Sequence, residues 1–277
     1  MTVTLSSEPF SETIGRVHAV LDAIGPVAVA VSGGVDSVTL AAVAHRRAPN
    51  STRLFHAVSP AVPEEATARL KARAETEAWS LTVIDAGEFS DSTYRANPVN
   101  RCFYCKDNLY RTIQSLTDET VVSGANVDDL GDYRPGLDAA ADHRVRHPWI
   151  EAEIGKAEIR ALATELGLDE FAELASAPCL SSRVETGIAI EADTLASIDA
   201  AERWLRRRLN PKTVRCRVRR SGVVIELDEI TLDGLGAQMR DDVATPIATM
   251  FAVDRPAPQI EFAAYRQGSA FVGGDKR

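Results

Sequence analysis

The chain has 277 residues, of which 45% are hydrophobic and 26% charged, and its formal net charge is −9. This composition is that of a globular protein long enough for one large domain and a small one. No apolar run approaches the ~20 residues of a membrane-spanning helix, the polar N-terminus lacks a secretory signal, and the acidic charge does not favour nucleic acid as a partner. We therefore expect a cytoplasmic protein that binds neither membranes nor nucleic acid.

Helical periodicity and short β-branched runs alternate along the first part of the chain. A helix over 11–24 precedes the wholly apolar run 27–31, which is typical of a strand buried on both faces. The same patterns predict helices over 36–47, 63–79, 104–116 and 156–166, and strands over 53–58, 81–84 and 120–123. This alternation indicates an α/β fold, a parallel sheet with helices on both faces, whose ligands bind beyond the carboxyl ends of the strands.

The pattern changes near Arg183. We predict a long helix over 191–209, a β-hairpin from 214–219 and 223–227, a helix around 231–240 and a strand near 260–264. These elements indicate a small C-terminal α+β domain. The predicted domains are residues 1–185 and 186–277.

One motif directly follows the first predicted strand, Ser32-Gly33-Gly34-Val35-Asp36-Ser37. Its glycines let the backbone approach an anion, and the helix that starts within it points unpaired N–H groups and a positive dipole end at the same place. Ser32 and Ser37 add hydroxyl donors. Asp36 serves either as a helix-start acceptor or as a Mg²⁺ contact.

This motif is not a Walker phosphate loop, because no Gly-Lys-Ser/Thr follows it. It resembles the PP-loop of the ATP pyrophosphatases, which include GMP, NAD and asparagine synthetases and tRNA-thiolating enzymes. The resemblance implies an adenine nucleotide alpha hydrolase-like domain that cleaves ATP to AMP and pyrophosphate and transfers AMP to a substrate oxygen.

The cysteines supply the second signal. Cys102 and Cys105 form a Cys-x-x-Cys pair within Asn100-Arg101-Cys102-Phe103-Tyr104-Cys105-Lys106, which is compatible with metal or cluster ligands, a redox dithiol or coincidence. A tetrahedral zinc site needs four ligands, and only Cys179, within 177–183, joins this pair. Three thiolates suit an iron–sulfur cluster with one open iron, or a reactive sulfur site. Lys106 and Arg101 should favour thiolate over thiol, whereas Cys216, in a predicted strand, should be inert.

Further segments extend the resemblance over nearly the whole chain, in order: 97–106, 124–129 (GANVDD), 133–136 (YRPG), 156–160, 179–183, 217–219 and 265–269. Together they resemble the LarE family of ATP-dependent sacrificial sulfur transferases, which contributes to the nickel-pincer nucleotide cofactor of lactate racemase. Departures from the family's usual residues, at Ala125, His147-Pro148-Trp149 and 184–187, concern substrate fit.

The resemblance implies a reaction and its site. A carboxylate of pyridinium-3,5-biscarboxylic acid mononucleotide is adenylated, with release of pyrophosphate, and its oxygen is then replaced by sulfur, with release of AMP. ATP and Mg²⁺ are the implied cofactors, with Gly124 and Asn126 near the nucleotide. Sulfur delivery falls to Cys102, Cys105 and Cys179, with Lys106 beside them. The family's assembly implies a trimer-based homo-oligomer.

Two sulfur sources occur in this family. In one branch a cysteine matching Cys179 gives up its own sulfur and becomes dehydroalanine. In the other, three cysteines hold a [4Fe–4S] cluster, which an unidentified sulfide donor would replenish. Because all three cysteines are present in this chain, we favour the cluster branch.

Arginines mark the small domain. Arg217 and Arg219 alternate on a predicted strand, so they share one face, and two guanidinium forks on one face suit a phosphate. The resemblance implies that they bind the substrate's nucleotide phosphate, with Ser182 and Arg183 nearby. Two alternatives stay open, a tRNA-thiolating enzyme with the same loop and a non-catalytic ATP-binding sensor whose cysteines serve zinc or redox chemistry.

Overall fold

The computed structural model describes residues 8–131, 133–174, 178–252 and 256–272. The α-helices of these residues, labelled α1 to α12 in chain order, span Glu8–Ile24, Val35–Arg47, Glu64–Thr76, Ser92–Arg95, Arg101–Gln114, Pro135–Asp142, Pro148–Glu151, Lys156–Glu165, Asp169–Ala172, Ala192–Leu209, Glu229–Asp233 and Ala237–Phe251. The strands, β1 to β7, span Val27–Ala30, Thr52–Ala57, Leu81–Ile84, Thr120–Ser123, Val214–Arg219, Gly222–Leu227 and Ile260–Ala264. Short 3₁₀ turns cover Pro49–Ser51, Glu88–Ser90, Val127–Gly131 and Leu180–Arg183.

The first four strands form a parallel sheet in the order β3-β2-β1-β4. The central strand β1 is buried on both faces, as its apolar sequence predicts. Val27 and Val29 pack into a core that includes residues of α1, α2 and α8, whereas Ala28 and Ala30 pack into a second core with residues of α5 and α6. Helices therefore cover both faces, and the predicted α/β fold is confirmed.

The second sheet has three strands in the order β5-β6-β7. β5 and β6 form the predicted antiparallel hairpin, and β7 pairs parallel to β6. Residues of α10 and α12 pack with all three strands into a third core, so this part of the chain is an α+β layer. No helix in the described residues is both long and apolar enough to cross a membrane.

The prediction of one helix around 231–240 is wrong. α11 ends at Asp233, a turn follows, and α12 starts at Ala237 and runs to Phe251. The predicted helix ends before Pro246, which lies inside α12. The helix continues past it because Val243, Ile247 and Phe251 recur at helical spacing and are buried against the small sheet.

The core of the small sheet also takes in residues from the first part of the chain. Ala61, Tyr94 and Leu180 belong to it, and Tyr104 and Cys105 pack against it. The Cys-x-x-Cys helix therefore lies where the two parts of the fold meet. The division into domains 1–185 and 186–277 stays a prediction, and its outermost residues, 1–7 and 273–277, lie outside the described residues.

Candidate active site

The predicted phosphate loop lies at the carboxyl end of β1 and leads into α2. Gly33 has φ +84°, a conformation that favours glycine. Gly34 is the N-cap of α2, with extended backbone and no side-chain cap bond. The first N–H groups of this 13-residue helix therefore point outward at the sheet edge, as an anion-binding loop requires.

The two serine hydroxyls shape the loop. The Ser37 Oγ donates to the Gly34 carbonyl at 3.1 Å and accepts from the Ser32 N–H at 3.1 Å. The two hydroxyl oxygens also lie 3.1 Å apart. These bonds hold the turn in its present form, and the predicted contact of Ser32 and Ser37 with phosphate stays a prediction.

Gly124 lies at the end of β4, against the backbone of the loop. A Cβ added at this position would lie 2.7 Å from the Ser37 nitrogen and 2.9 Å from the Asp36 carbonyl carbon. No side chain fits there. The close approach of β4 to the start of α2 explains why a glycine occupies this position.

Asp36 projects from the first turn of α2 toward two other segments. Its carboxylate pairs with the Lys156 ammonium, and the Asn126 Nδ2 donates to its Oδ1 at 3.4 Å. Because the N-cap of α2 is Gly34, the prediction of Asp36 as a helix-start acceptor is wrong. The contact with Asn126 brings the predicted nucleotide-side residues together at one sheet edge.

Lys156, which contacts Asp36, is not among the site residues predicted from the sequence. It is the first residue of α8, and its backbone N–H donates to Asp128 Oδ2 at 2.6 Å. This bond fixes the start of α8 so that the Lys156 ammonium reaches Asp36. Lys156 does lie in one of the segments that resemble the family, but its role depends on a contact 120 residues apart in sequence.

The departures at 147–149 lie behind the phosphate loop. The Trp149 side chain is fully buried, and its Nε1 donates to the Asp36 carbonyl oxygen at 3.0 Å. The His147 Nδ1 lies 2.8 Å from the Ser123 Oγ at the end of β4. These side chains therefore support the backbone of the nucleotide site from within.

The Cys-x-x-Cys pair lies at the start of α5, which begins at Arg101 rather than at the predicted residue 104. Cys102 and Cys105 are three residues apart on this helix, so they share one face. Cys179, exposed in the segment before the 3₁₀ turn 180–183, is close enough to influence the ionisation of both. The structure thus places Cys179 within electrostatic range of the pair.

Burial sets the ionisation of this site. It raises the pKa of the Cys102 thiol, and it raises the pKa of Cys105 to about 12. Arg101 and Lys106 do lower the pKa of Cys102, as predicted, and Lys106 lowers that of Cys105, but burial outweighs these charges and both pKa values are raised. Burial also opposes the charge of Lys106, but the net direction of its pKa is upward, because the deprotonated forms of Cys105, Tyr110 and Cys102 attract the ammonium.

Arg183 holds the segment that carries Cys179 through hydrogen bonds to its backbone. The Arg183 guanidinium is buried, donates to the carbonyls of Pro178 and Cys179, and pairs through two bonds with the buried Glu202. Ser182 is also buried, and its Oγ accepts from the same guanidinium at 3.0 Å. Arg183 therefore positions the backbone that carries Cys179.

Arg217 and Arg219 share one face of β5, as predicted, and both contact Glu226. Arg217 Nε lies 3.0 Å from Glu226 Oε2, and Arg219 Nη2 lies 3.1 Å from Oε1. Both guanidinium groups also donate to backbone carbonyls. Arg217 Nη1 donates to the Ser182 carbonyl, and Arg219 Nη1 donates to the Ser269 carbonyl. Binding of a substrate phosphate by this pair stays a prediction.

Three cysteine thiolates are the donor type that holds an iron–sulfur cluster with one open iron. Among the described residues no group of three or more His, Cys, Asp and Glu side chains is arranged to hold a metal ion. Cys216, buried in β5, faces the core of the small sheet, and burial raises its pKa, which agrees with the prediction that it is inert.

The chain is similar to one protein family and to several individual proteins. The asparagine synthase family matches residues 15–100. An uncharacterized protein of Synechocystis sp. (slr1717) is 37% identical over 203 residues, 72% of this chain and 75% of that protein. The uncharacterized protein MJ0830 of Methanocaldococcus jannaschii is 26% identical over 207 residues, 73% of this chain and 78% of that protein.

A third relative has a named activity. The pyridinium-3,5-bisthiocarboxylic acid mononucleotide synthase of Lactiplantibacillus plantarum is 31% identical over 216 residues, which are 76% of this chain and 78% of that enzyme. The aligned length takes in most of both chains, and the α/β fold with its loop after β1 agrees with the match to asparagine synthase. The chain therefore belongs to the LarE family of PP-loop proteins.

Proposed function

We propose that this protein is an ATP-dependent sulfurtransferase that adenylates a carboxylate of pyridinium-3,5-biscarboxylic acid mononucleotide and replaces its oxygen with sulfur. The relative from L. plantarum is named for the thiolated product of such a reaction. The observation that carries the proposal is a path of contacts from the phosphate loop to Arg134, whose charge acts on Cys102.

This path runs through the segment after β4. Asn126 contacts Asp36 through its side chain, and its backbone N–H donates to Asp129 Oδ2 at 3.1 Å. The other oxygen of Asp129 pairs with Arg134 at 2.8 Å, and Arg134 is close enough to Cys102 to lower the thiol's pKa against burial. Contacts of Asn126 and Asp129 therefore connect Asp36 to Arg134, which lies within electrostatic range of Cys102.

The first half-reaction uses the nucleotide end. The N–H groups at the start of α2 would bind the β- and γ-phosphates, Asp36 would contact Mg²⁺, and Lys156 would contact a phosphate oxygen. A carboxylate oxygen attacks the α-phosphorus of ATP. The bond between this phosphorus and pyrophosphate breaks, and an acyl adenylate forms. The carboxylate oxygen then belongs to AMP, which is a good leaving group.

The second half-reaction uses the sulfur end. A sulfur nucleophile attacks the acyl carbon, a C–S bond forms, and the C–O bond to AMP breaks. Cys102, Cys105 and Cys179 would hold a [4Fe–4S] cluster, which would supply labile sulfide when bound. Of the protein's own side chains, the Lys106 ammonium would place positive charge near the three sulfurs, and Arg183 holds the segment that carries Cys179.

The two half-reactions can be separated by experiment. ATP–pyrophosphate exchange should depend on the pyridinium dicarboxylate mononucleotide, and Cys179→Ala should keep this exchange while forming no thiolated product. A wild-type protein that catalyses no substrate-dependent exchange would count against the adenylation. A Cys179→Ala protein that still makes the thiolated product would remove Cys179 from the sulfur step.

A further inference from the structure

Arg101 is a buried cation whose charge is not neutralised by any carboxylate among the described residues. The residue is 1% exposed, and its Nη1 donates to the Asn97 amide oxygen at 2.6 Å. Its Nε and Nη2 are buried and have no hydrogen-bond partner among the described residues. An amide oxygen satisfies one N–H group but does not offset the charge.

The other buried arginines near the cysteines differ in this respect. Arg183 pairs with the buried Glu202, and Arg217 pairs with the buried Glu226. A buried guanidinium without such a partner is costly, and proteins satisfy nearly all buried donors. The two free N–H groups of Arg101 therefore mark a site that is incomplete without an anion.

The free groups define the shape of this anion. Nε and Nη2 are adjacent donors in the guanidinium plane, and together they match the two oxygens of a carboxylate. The Arg101 Cζ lies 4.6 Å from the centroid of the Phe271 ring, a contact that does not satisfy the two free N–H groups. Phe271 is 36% exposed, so the ring that packs on the Arg101 guanidinium lies at the protein surface.

The position of Arg101 places this anion beside the sulfur site. Arg101 is the first residue of α5 and precedes Cys102 directly, so the positive end of the helix dipole adds to its charge. Arg101 is also close enough to lower the pKa of Cys102 against burial. A carboxylate bound here would hold a small ring next to the cysteines.

We propose that Arg101 binds the substrate carboxylate that is not being adenylated, through Nε and Nη2. This assignment rests on the proposed function, whose substrate carries two carboxylates on one ring. Arg101 is then a positioning residue: it fixes the ring so that the second carboxylate is the one presented for adenylation and sulfur transfer. It also makes the protein specific for dicarboxylates.

The test changes both the protein, at Arg101, and the ligand, by one carboxylate, and compares the binding affinities of all combinations. Calorimetry compares pyridinium-3,5-biscarboxylic acid mononucleotide with nicotinic acid mononucleotide, which lacks one carboxylate, on wild type, Arg101→Met and Arg101→Lys. Wild type should prefer the dicarboxylate by about tenfold or more, as expected for a charge-assisted pair. Arg101→Met should lose this preference, and Arg101→Lys, which keeps the charge without the fork, should retain part of it.

Arg111→Met is the matched control, because Arg111 lies on the same helix with its side chain 60% exposed. This variant should keep the full preference, and unchanged ATP binding in every variant shows that the fold is intact. Equal weakening of both ligands by Arg101→Met would overturn the proposal in favour of a structural role, as would a wild type that does not discriminate between them. ATP–pyrophosphate exchange is measured separately. If exchange fails but the preference for the dicarboxylate still depends on Arg101, the proposed function is overturned and the binding role of Arg101 is not.

Discussion

Replacing Gly124 with alanine should displace the phosphate loop. The added Cβ would lie 2.7 Å and 2.8 Å from the Ser37 nitrogen and Cα, and 2.9 Å from the Asp36 carbonyl carbon. Ordinary contact begins at 3.4 Å, so β4 and the start of α2 must separate by about 0.7 Å, close to the ~1 Å displacement that can cost 10²-fold in rate. All three atoms are backbone, and no rotamer change relieves the clash.

Two effects should follow. Overpacking of this kind costs about 1–3 kcal/mol in the free energy of unfolding. ATP–pyrophosphate exchange should fall by about ten- to a hundredfold, because the N–H groups of the loop no longer lie where the phosphates need them. Gly131→Ala is the control, since a Cβ added at Gly131 meets no atom within 4 Å. If Gly124→Ala binds ATP and exchanges pyrophosphate as well as Gly131→Ala does, the placement of the loop against β4 is wrong.

Three further predictions follow from single contacts. Lys156→Met should lower kcat/KM for exchange by about 10–100-fold through loss of a charge-assisted phosphate contact, whereas the exposed Lys71→Met should leave it unchanged; equal rates would remove Lys156 from the site. Arg183→Met should lower the free energy of unfolding by about 3 kcal/mol in chemical denaturation, since the buried Glu202 loses its main partner, and Arg206→Met, on the exposed side of the same carboxylate, should cost less than about 1 kcal/mol. Burial lowers the pKa of His56, whose ring nitrogens contact Val31 O and Thr67 Oγ1, so its contribution to stability is complete above about pH 6.5 and is lost as the pH falls through its lower folded-state pKa; His56→Gln should flatten this part of the unfolding free energy, and an unchanged pH profile would contradict the assignment.

Local signals were enough to predict the fold. The apolar run that forms β1 and the glycine-rich turn after it are encoded within ten residues, and the hairpin of β5 and β6 follows from alternation around one turn. The end of α12 was missed because burial against a distant sheet outweighs the local effect of Pro246. Tertiary packing of this kind leaves no mark in a short sequence window.

The site was predictable by residue type but not by contact. Cys102, Cys105 and Cys179 are recognisable as one set from the sequence, yet their protonation depends on burial, which only the fold defines. Lys156 meets Asp36 across segments far apart along the chain, and Arg101 has no carboxylate partner in the part of the chain that the structure describes. Sequence patterns report which groups are present, and only the packing shows which of them are paired.

We propose that an ATP-activated carboxylate receives sulfur at the three-cysteine site. The most direct measurement is an anaerobic single turnover with ATP and the dicarboxylate mononucleotide, followed by mass spectrometry of the nucleotide product and quantification of AMP, for wild type and Cys179→Ala. We expect wild type to release AMP and to form a product heavier by the difference between sulfur and oxygen, and Cys179→Ala to form none. Release of AMP by wild type without any gain of sulfur, or a thiolated product from Cys179→Ala, would contradict the claim.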